Sequence, residues 1–477
     1  MTTAIMNNPS LPHATRQCSY VLKVLKDVFS PATKPMPCVI LGSALLLNAF
    51  AATTVIAPTP PMGWNSWDAY GTTVTETEVK ANADYMAQKL RSHGWQYVVV
   101  DIQWSEPKPQ VHGYRPNADL VMDEYGRLIP APNRFPSATA GAGFTALAEY
   151  VHGHGLKFGI HIMRGIPRLA VAANLPVAGT QVHAADIADK TSVCRWNTDM
   201  YGVDMSKDGG QAYYDSIVKM YAGWGVDYIK ADDMATPFHA AEIAALHNAI
   251  LKSGRPIVLS LSPGPADVAK AAFYADNANL WRISGDFWDR WDALKENFAL
   301  LNKWSVYTKP ESWPDADMLP LGRIGIRAER GEDRRTRFTP DEQQTMMSLW
   351  SIARSPLMFG GDLPSNDEAT YRLISNDEIL QVNQHASNSH QLFANGAQIA
   401  WVSDAASSGA KYLAVFDVGD RGTEDIRVEW KDLGLSGECS VRDLWAKKDL
   451  GRANGRYTFK IGPHASGLYR IEAMVKK

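Results

Sequence analysis

From residue 62 to about residue 370, short apolar runs alternate with segments whose apolar residues recur at helical spacing. MGWNSW (62–67) is followed by TETEVKANADYMAQKL, YVVVDIQW (97–104) by FTALAEYVHGHG, and KFGIHI (157–162) by QAYYDSIVKMYAGWG. DYIKAD (227–232) then precedes HAAEIAALHNAILKSG, PIVLSLS (256–262) precedes VAKAAFYA, and LWRISGD (280–286) comes next. Continuous apolar strands joined by helices predict a parallel sheet buried on both faces. Six or more such units in succession favour an α/β fold of the closed (β/α)8 TIM-barrel type over an open doubly wound sheet. No Gly-rich phosphate loop follows the first strand to support the open form. Beyond about residue 385 the pattern changes to short alternating strands separated by turns, from AQIAWVSDA to GLYRIEAM, which predicts a C-terminal antiparallel β-sandwich. The expected organisation is a leader over 1–52, a catalytic barrel over 57–380 and a sandwich over 385–477.

The leader contains CVILGSALLLNAFAA (38–52), too short for a comfortable membrane span and ending in the small-x-small pattern Ala49-Phe50-Ala51. It reads as a signal peptide, with the mature chain starting near Ala52 to Ala57; an uncleaved anchor is the alternative. Export to the periplasm or the medium is expected, without stable membrane association after cleavage. The stretch before the apolar run is long for a signal peptide, which leaves both Met1 and Met36 as candidate starts.

Composition narrows the partners. With 45% hydrophobic and 21% charged residues the chain is ordinary globular material, and a formal net charge of −3 gives no basic footprint for nucleic acid. Fifteen Trp and eighteen Tyr suit sugar sites, which aromatic faces line, although most will be core. Of four cysteines, Cys18 and Cys38 belong to the leader, while Cys194 and Cys439 are too distant in sequence to announce a bridge. HGHG (152–155) lacks further ligands and reads as a surface turn after a helix, so no metal or other cofactor is expected.

In a barrel the chemistry sits at the C-terminal strand ends, so a polar residue closing an apolar strand is a site candidate by position. Those residues are Trp67, Asp101, His161, Lys230, Asp232, Ser262, Arg282, Asp286 and Asp317. The set is rich in carboxylates and lacks a Ser or Cys paired with a base. It has the character of a sugar site, where acids accept hydroxyl hydrogen bonds, a Trp stacks on an apolar sugar face and two carboxylates do the chemistry. Taken singly, each has a structural reading: Asp101 or Asp286 as a helix N-cap, Lys230 as a structural ion-pair partner, Trp67 as core. In VDYIKADDMATPF (226–238), Asp227 reads as a turn residue, and Asp233 either faces away from the site or caps the next segment. The mixed-sign run RAERGEDRRTR (327–337) reads as a solvated loop whose arginines are candidates to border a cleft.

In order, TPPMGWNSWDAYG (59–71), YVVVDIQW, WGVDYIKADD, WRISGDFWDRW, WPDADML and LWSIARSPLMFGGDLPS resemble glycoside hydrolase family 27, the family of α-galactosidases and α-N-acetylgalactosaminidases. The resemblance implies a retaining exo-glycosidase acting on an oligosaccharide or simple glycoside. It makes Asp232 of Lys230-Ala231-Asp232 the nucleophile and Asp286 the acid/base, with Trp67, Asp101, Lys230, Arg282 and Asp317 contacting the sugar. Lys230, two residues earlier on the same strand face, is placed to keep Asp232 ionised, and a Trp-rich surround (Trp281, Trp288, Trp291) is expected to keep Asp286 protonated.

The chain departs from that family where its galactosidases usually carry two consecutive acids, D-D-x-W. Here the block is Asp101-Ile102-Gln103-Trp104. In the family the second acid helps hold the C6 hydroxymethyl of galactose, and a lost hydrogen-bond partner in a closed site costs about 1–3 kcal/mol. L-Arabinopyranose in β linkage is the galactoside without C6, so Ile102 favours β-L-arabinopyranosidase activity, which the family includes. His161 stands where many members have Tyr, and Ser262 occupies the position expected to meet the sugar's 2-substituent. The alternatives are a strict α-galactosidase, a related glucan-cleaving specificity, or a sugar-binding protein that has lost catalysis.

Overall fold

The structure, a computed structural model, describes residues 55–406 and 408–474; the leader with its apolar run, Cys18, Cys38 and both candidate start methionines lies outside the described residues. Eight parallel strands make the barrel: β1 (Met62–Asn65), β2 (Tyr97–Val100), β3 (Lys157–Met163), β4 (Tyr228–Asp232), β5 (Val258–Leu261), β6 (Leu280–Arg282), β7 (Trp313–Asp315) and β8 (Leu357–Phe359). They lie in the order β7-β6-β5-β4-β3-β2-β1-β8. Leu319, just past β7, closes the ring by donating to the Met358 carbonyl at 2.8 Å and accepting from Gly360 N–H at 3.0 Å.

A helix follows each strand in turn: α1 (Glu76–Tyr85), α2 (Thr145–Gly153), α3 (Gly210–Trp224), α4 (Ala240–Ser253), α5 (Ala271–Asn277), α6 (Trp291–Trp304), α7 (Pro340–Ala353) and α8 (Glu368–Ile374). Local signals set their starts. Thr75 with Glu78, and Thr339 with Glu342, form reciprocal capping boxes on α1 and α7, and Pro340 fills the first helical position where no N–H is needed.

The two-residue period of each strand separates an inner from an outer layer. Tyr97, Val99, Tyr228, Val258, Leu280, Trp313 and Met358 form one buried cluster inside the barrel. Their out-of-phase neighbours Val98, Val100, Ile229, Ala231, Leu259, Leu261 and Trp281 join the larger core shared with the helices. Burying each such side chain contributes about 1.5–3 kcal/mol. Gly264, in the loop after β5, permits a close approach there: a Cβ on it would lie 2.0 Å from the Ser284 carbonyl oxygen.

After α9 (Asp377–His385) the chain enters the sandwich. Its strands are β9 (Ser387–Asn395), β10 (Gln398–Asp404), β11 (Lys411–Asp417), β12 (Glu424–Glu429), β13 (Glu438–Asp443), β14 (Lys448–Asn454), β15 (Arg456–Ile461) and β16 (Ser466–Ala473). One antiparallel sheet runs β9-β10-β11-β16-β13-β14, and the pair β12-β15 covers its apolar face across Trp430, Phe459 and Ile471. The sandwich is fastened to the barrel helices by polar contacts. Trp445 Nε1 donates to Ser348 Oγ at 2.9 Å, Thr345 Oγ1 donates to the His464 carbonyl at 2.7 Å, and the His464 ring stacks on Trp291 with centroids 3.9 Å apart. Among the described residues no helix is long and apolar enough to cross a membrane.

Candidate active site

The inward phase of the strands ends in polar side chains. Continuing Tyr97 and Val99 leads to Asp101; Tyr228 leads to Lys230 and Asp232; Val258 to Ser260 and Ser262; Leu280 to Arg282; Trp313 to Asp315 and Asp317. A pocket of about 290 Å3 opens at these strand ends, lined among others by Trp67, Asp101, Ile102, Lys230, Asp232, Ser262, Arg282, Asp286 and Asp317. His161 does not line it and lies fully buried beneath Asp232.

Asp101 is tied down from three sides. Asn65 Nδ2 donates to Oδ2 at 2.7 Å, Lys230 Nζ to the same oxygen at 2.9 Å, and the Asp101 N–H reaches Ser66 Oγ at 3.0 Å. Burial alone would raise its pKa, yet Lys230 and then His161 hold it below the usual range. Reciprocally, burial disfavours the charge on Lys230, but Asp101 and Asp232 raise its pKa overall. Asp101 is therefore an anchored acceptor, and Lys230 is a fixed cation ion-paired with it. Ile102, only 5% exposed, forms the adjoining wall, and its apolar cluster includes Trp67, Met163 and Cys194.

Asp232 receives its nearest cation-capable partner from His161 rather than from Lys230. His161 Nε2 lies 3.1 Å from Asp232 Oδ2, and the Asp233 N–H donates to Oδ1 at 3.0 Å. A carboxylate is an acceptor only, so Nε2 carries the proton in this bond. Burial opposes ionisation of Asp232, but the His161 hydrogen bond and charge, followed by the charge of Lys230, bring its pKa down to about 2. Asp233 turns out of the strand at φ 57 and points away from the pocket, where Arg164 binds its Oδ2 at 2.8 Å. Arg164 also binds Glu242 at 2.7 Å, and Glu242 in turn accepts from the Val203 N–H at 2.7 Å. Asp227 takes no part in a simple turn: it accepts from His152 at 2.7 Å and from the Phe158 N–H at 2.9 Å, which ties the entry of β4 to that of β3.

Across the mouth, Arg282 Nη2 joins two acids, Asp317 Oδ2 at 2.8 Å and Asp286 Oδ1 at 3.1 Å. Asp317 is held at φ 88 and also accepts from the Phe287 N–H at 2.7 Å. Burial would lower the pKa of Arg282, but Asp317, Asp286 and Asp315 raise it. The Asp286 side chain, 46% exposed, stands at the rim where solvent reaches it. The expected Trp-rich surround is reduced to Trp288. Trp281 is out of phase and packs outward between Tyr274 and Trp304, and Trp291 lies under His464 of the sandwich.

Further residues complete the wall. Asp68 follows Trp67 and is 3% exposed; burial first, then Asp317, pushes its pKa well above the ordinary value. Adjacency to a strand-end residue is a usable signal for it. Tyr114 and Trp196 come from long loops without periodicity; Tyr114 stacks on Trp67 at 5.6 Å and meets Trp196 at 5.3 Å. Arg330, from the mixed-sign loop, borders the pocket together with Glu329. Ser262 Oγ is buried in the wall with no hydrogen-bond partner among the described residues. Among the described residues, no group of three or more His, Cys, Asp or Glu is arranged to hold a metal ion, and Cys194 and Cys439 are free and buried.

Residues 59–208 and 203–385 match the family model described as alpha galactosidase A, and 395–471 match that of the alpha galactosidase C-terminal beta sandwich domain. A GH27 β-L-arabinopyranosidase from Geobacillus stearothermophilus is 53% identical, with a TM-score of 0.87; the similarity covers 88% of this chain and 98% of that one, and a single-residue variant of that enzyme is known in complex with arabinose. An α-galactosidase from Coffea arabica is 31% identical over 425 residues, which is 86% of this chain and 93% of the relative. Alpha-galactosidase 2 of Arabidopsis thaliana is 28% identical over 428 residues, 87% of this chain and 90% of the relative.

Proposed function

The chain belongs to the α-galactosidase family, glycoside hydrolase family 27, and is a glycoside hydrolase; on that premise we propose that it is a retaining exo-glycosidase for terminal β-L-arabinopyranosides, with α-D-galactopyranosides as poorer substrates. In this reading Asp232 attacks the anomeric carbon while Asp286 delivers its proton to the departing glycosidic oxygen. Asp286 then takes a proton from water, and the hydroxide so formed releases the sugar from the ester on Asp232. Two features support the assignment. Asp232 is kept ionised in a buried site, and Asp286 stands at the solvent-facing rim, where a leaving group departs and water enters. Asp101 and Lys230 bind ring hydroxyls, Arg282 orients Asp286, Trp67 stacks on the sugar and Ser262 meets its 2-hydroxyl.

The sugar preference is carried by Ile102. Beside the anchored Asp101 it offers a C6 hydroxymethyl no acceptor and presents a branched apolar side chain to the pocket. A buried hydroxyl left unpaired costs about 1–3 kcal/mol, about 5- to 150-fold in kcat/KM. The similarity to the Geobacillus enzyme points the same way. The test compares kcat/KM on 4-nitrophenyl β-L-arabinopyranoside and α-D-galactopyranoside for the wild type and Ile102→Asp. The expected outcome is an arabinopyranoside preference that shifts toward galactoside in the variant. A clear galactoside preference in the wild type refutes the argument, and an Asp232→Ala variant with undiminished activity refutes the catalytic assignment.

The signal-peptide reading of the leader supports action outside the cytoplasm, in the periplasm or medium. N-terminal sequencing of the exported protein is expected to begin between Ala52 and Ala57.

A further inference from the structure

The cleft continues past Asp286. A second depression of about 120 Å3 shares Asp286, Trp288 and Arg330 with the sugar pocket, and Arg290, Arg334 and Arg337 are among its remaining walls. Its other acid, Asp289, is buried and already saturated. Arg334 Nη2 donates to Oδ1 at 2.6 Å, while Arg334 Nε and the Arg337 N–H donate to Oδ2 at 3.1 and 2.9 Å. The Arg337 guanidinium stands 3.9 Å from that carboxylate. Arg290 and Arg330 come no nearer than 3.6 Å to Asp292 and 3.7 Å to Glu329, both beyond hydrogen-bond length. Some arginines elsewhere in the chain close on their acids, Arg115 on Asp119 at 2.7 Å and Arg372 on Glu368 at 2.8 Å, while others, such as Arg335 and Arg452, stop at 3.6 Å. Among the described residues, the guanidinium groups of Arg290, Arg330 and Arg337 beside the rim carboxyl close on no acid within hydrogen-bond length.

We propose that this depression receives the leaving group and is built for one that carries a carboxylate, a uronic acid unit bearing the terminal sugar. The inference rests on the proposed role of Asp286: the side of that carboxyl facing away from the sugar is where the leaving oxygen's substituent must lie. A guanidinium matches a carboxylate with two parallel N–H donors, and Trp288 supplies an apolar face for the uronic acid ring. Arg334 is the structural member, locked on Asp289, and Arg330 is shared with the sugar pocket, while Arg290 and Arg337 are the recognising ones.

The test uses a disaccharide of the terminal sugar on glucuronic acid, and its methyl ester, which keeps the same leaving oxygen without the charge. The terminal sugar is whichever the 4-nitrophenyl comparison selects. The full chain is expected to hydrolyse the acid with kcat/KM roughly five- to tenfold above the ester, a preference that collapses in high salt. In the double variant Arg290→Gln/Arg337→Gln the preference disappears, while kcat/KM on the 4-nitrophenyl glycoside stays within about twofold of wild type. Equal rates on acid and ester, or a preference that survives the double substitution, overturn the proposal. Hydrolysis of the 4-nitrophenyl glycoside but of neither disaccharide overturns it alone; failure on all three removes the functional reading beneath it.

Discussion

Replacing His161 by Phe separates a residue that touches sugar from one that tunes the nucleophile. The imidazole is buried and 3.1 Å from Asp232, and it contributes both a hydrogen bond and a charge to lowering that carboxyl's pKa to about 2. A hydrogen bond to a charged group contributes about 1.5–3 kcal/mol, and 1.36 kcal/mol corresponds to one pH unit. Its loss therefore moves the Asp232 pKa upward by about one to two, to about 3–4. The sign is fixed: with the donor gone the ionised form is less favoured, so activity disappears at a higher pH on the acidic side. The assay is kcat/KM against pH, from 3 to 8, on 4-nitrophenyl β-L-arabinopyranoside, because this ratio reports groups of the free enzyme. On the acidic side of the profile wild type is expected to stay level down to the onset of acid unfolding, and His161→Phe to bend at about pH 3–4. The plateau should also fall by about tenfold or more, since a nucleophile freed from its support is poorly aimed. His161→Gln, which keeps an N–H donor, should recover part of both effects. An acidic limb unmoved in His161→Phe, with a plateau within twofold of wild type, would refute the positioning role.

Two further outcomes concern groups outside the pocket wall. Arg164→Met leaves Asp233 and Glu242 buried without their cation, which should cost about 3–5 kcal/mol in urea unfolding; a loss under about 1 kcal/mol would contradict the network's importance. Asp315 lies beneath the site, and burial first, then Asp317, raises its pKa from 3.8 to about 6 despite Arg282. Between those values the unfolded chain has released a proton that the folded chain keeps, so stability falls as pH rises through that window, by about 3 kcal/mol. Asp315→Asn should flatten the slope of Tm against pH from 4 to 6 and exceed wild type above pH 6; parallel slopes would rule this out.

The strand-end rule located most of the pocket because the period of two is strict in a closed barrel. Asp101, Lys230, Asp232, Ser262, Arg282 and Asp317 all continue the inward phase of apolar residues below them. The same period, applied to Trp281, excludes it, since it precedes Arg282 by one and must face the helices. His161 is in phase on β3, but the register pairs it with Lys230 and pairs Met163 with Asp232, one step higher. It therefore lies a layer beneath the mouth and meets the nucleophile from below, a difference that only the strand register reveals. Tyr114 and Trp196 arrive on loops whose path is set by tertiary packing, so no local periodicity announces them. Asp233 is legible as a residue facing elsewhere, but its partner Arg164 sits 69 residues away.

The stacking of His464 on Trp291, with Trp445 hydrogen-bonded to Ser348, has a consequence for how the molecule comes apart. Each of these contacts joins a sandwich loop to a helix that also backs the barrel core, so neither part can melt without stripping an aromatic surface from the other. Calorimetry should record one endotherm with equal calorimetric and van't Hoff enthalpies. A chain cut at residue 386 should be recovered as aggregate, with the bared indole of Trp291 as its adhesive surface.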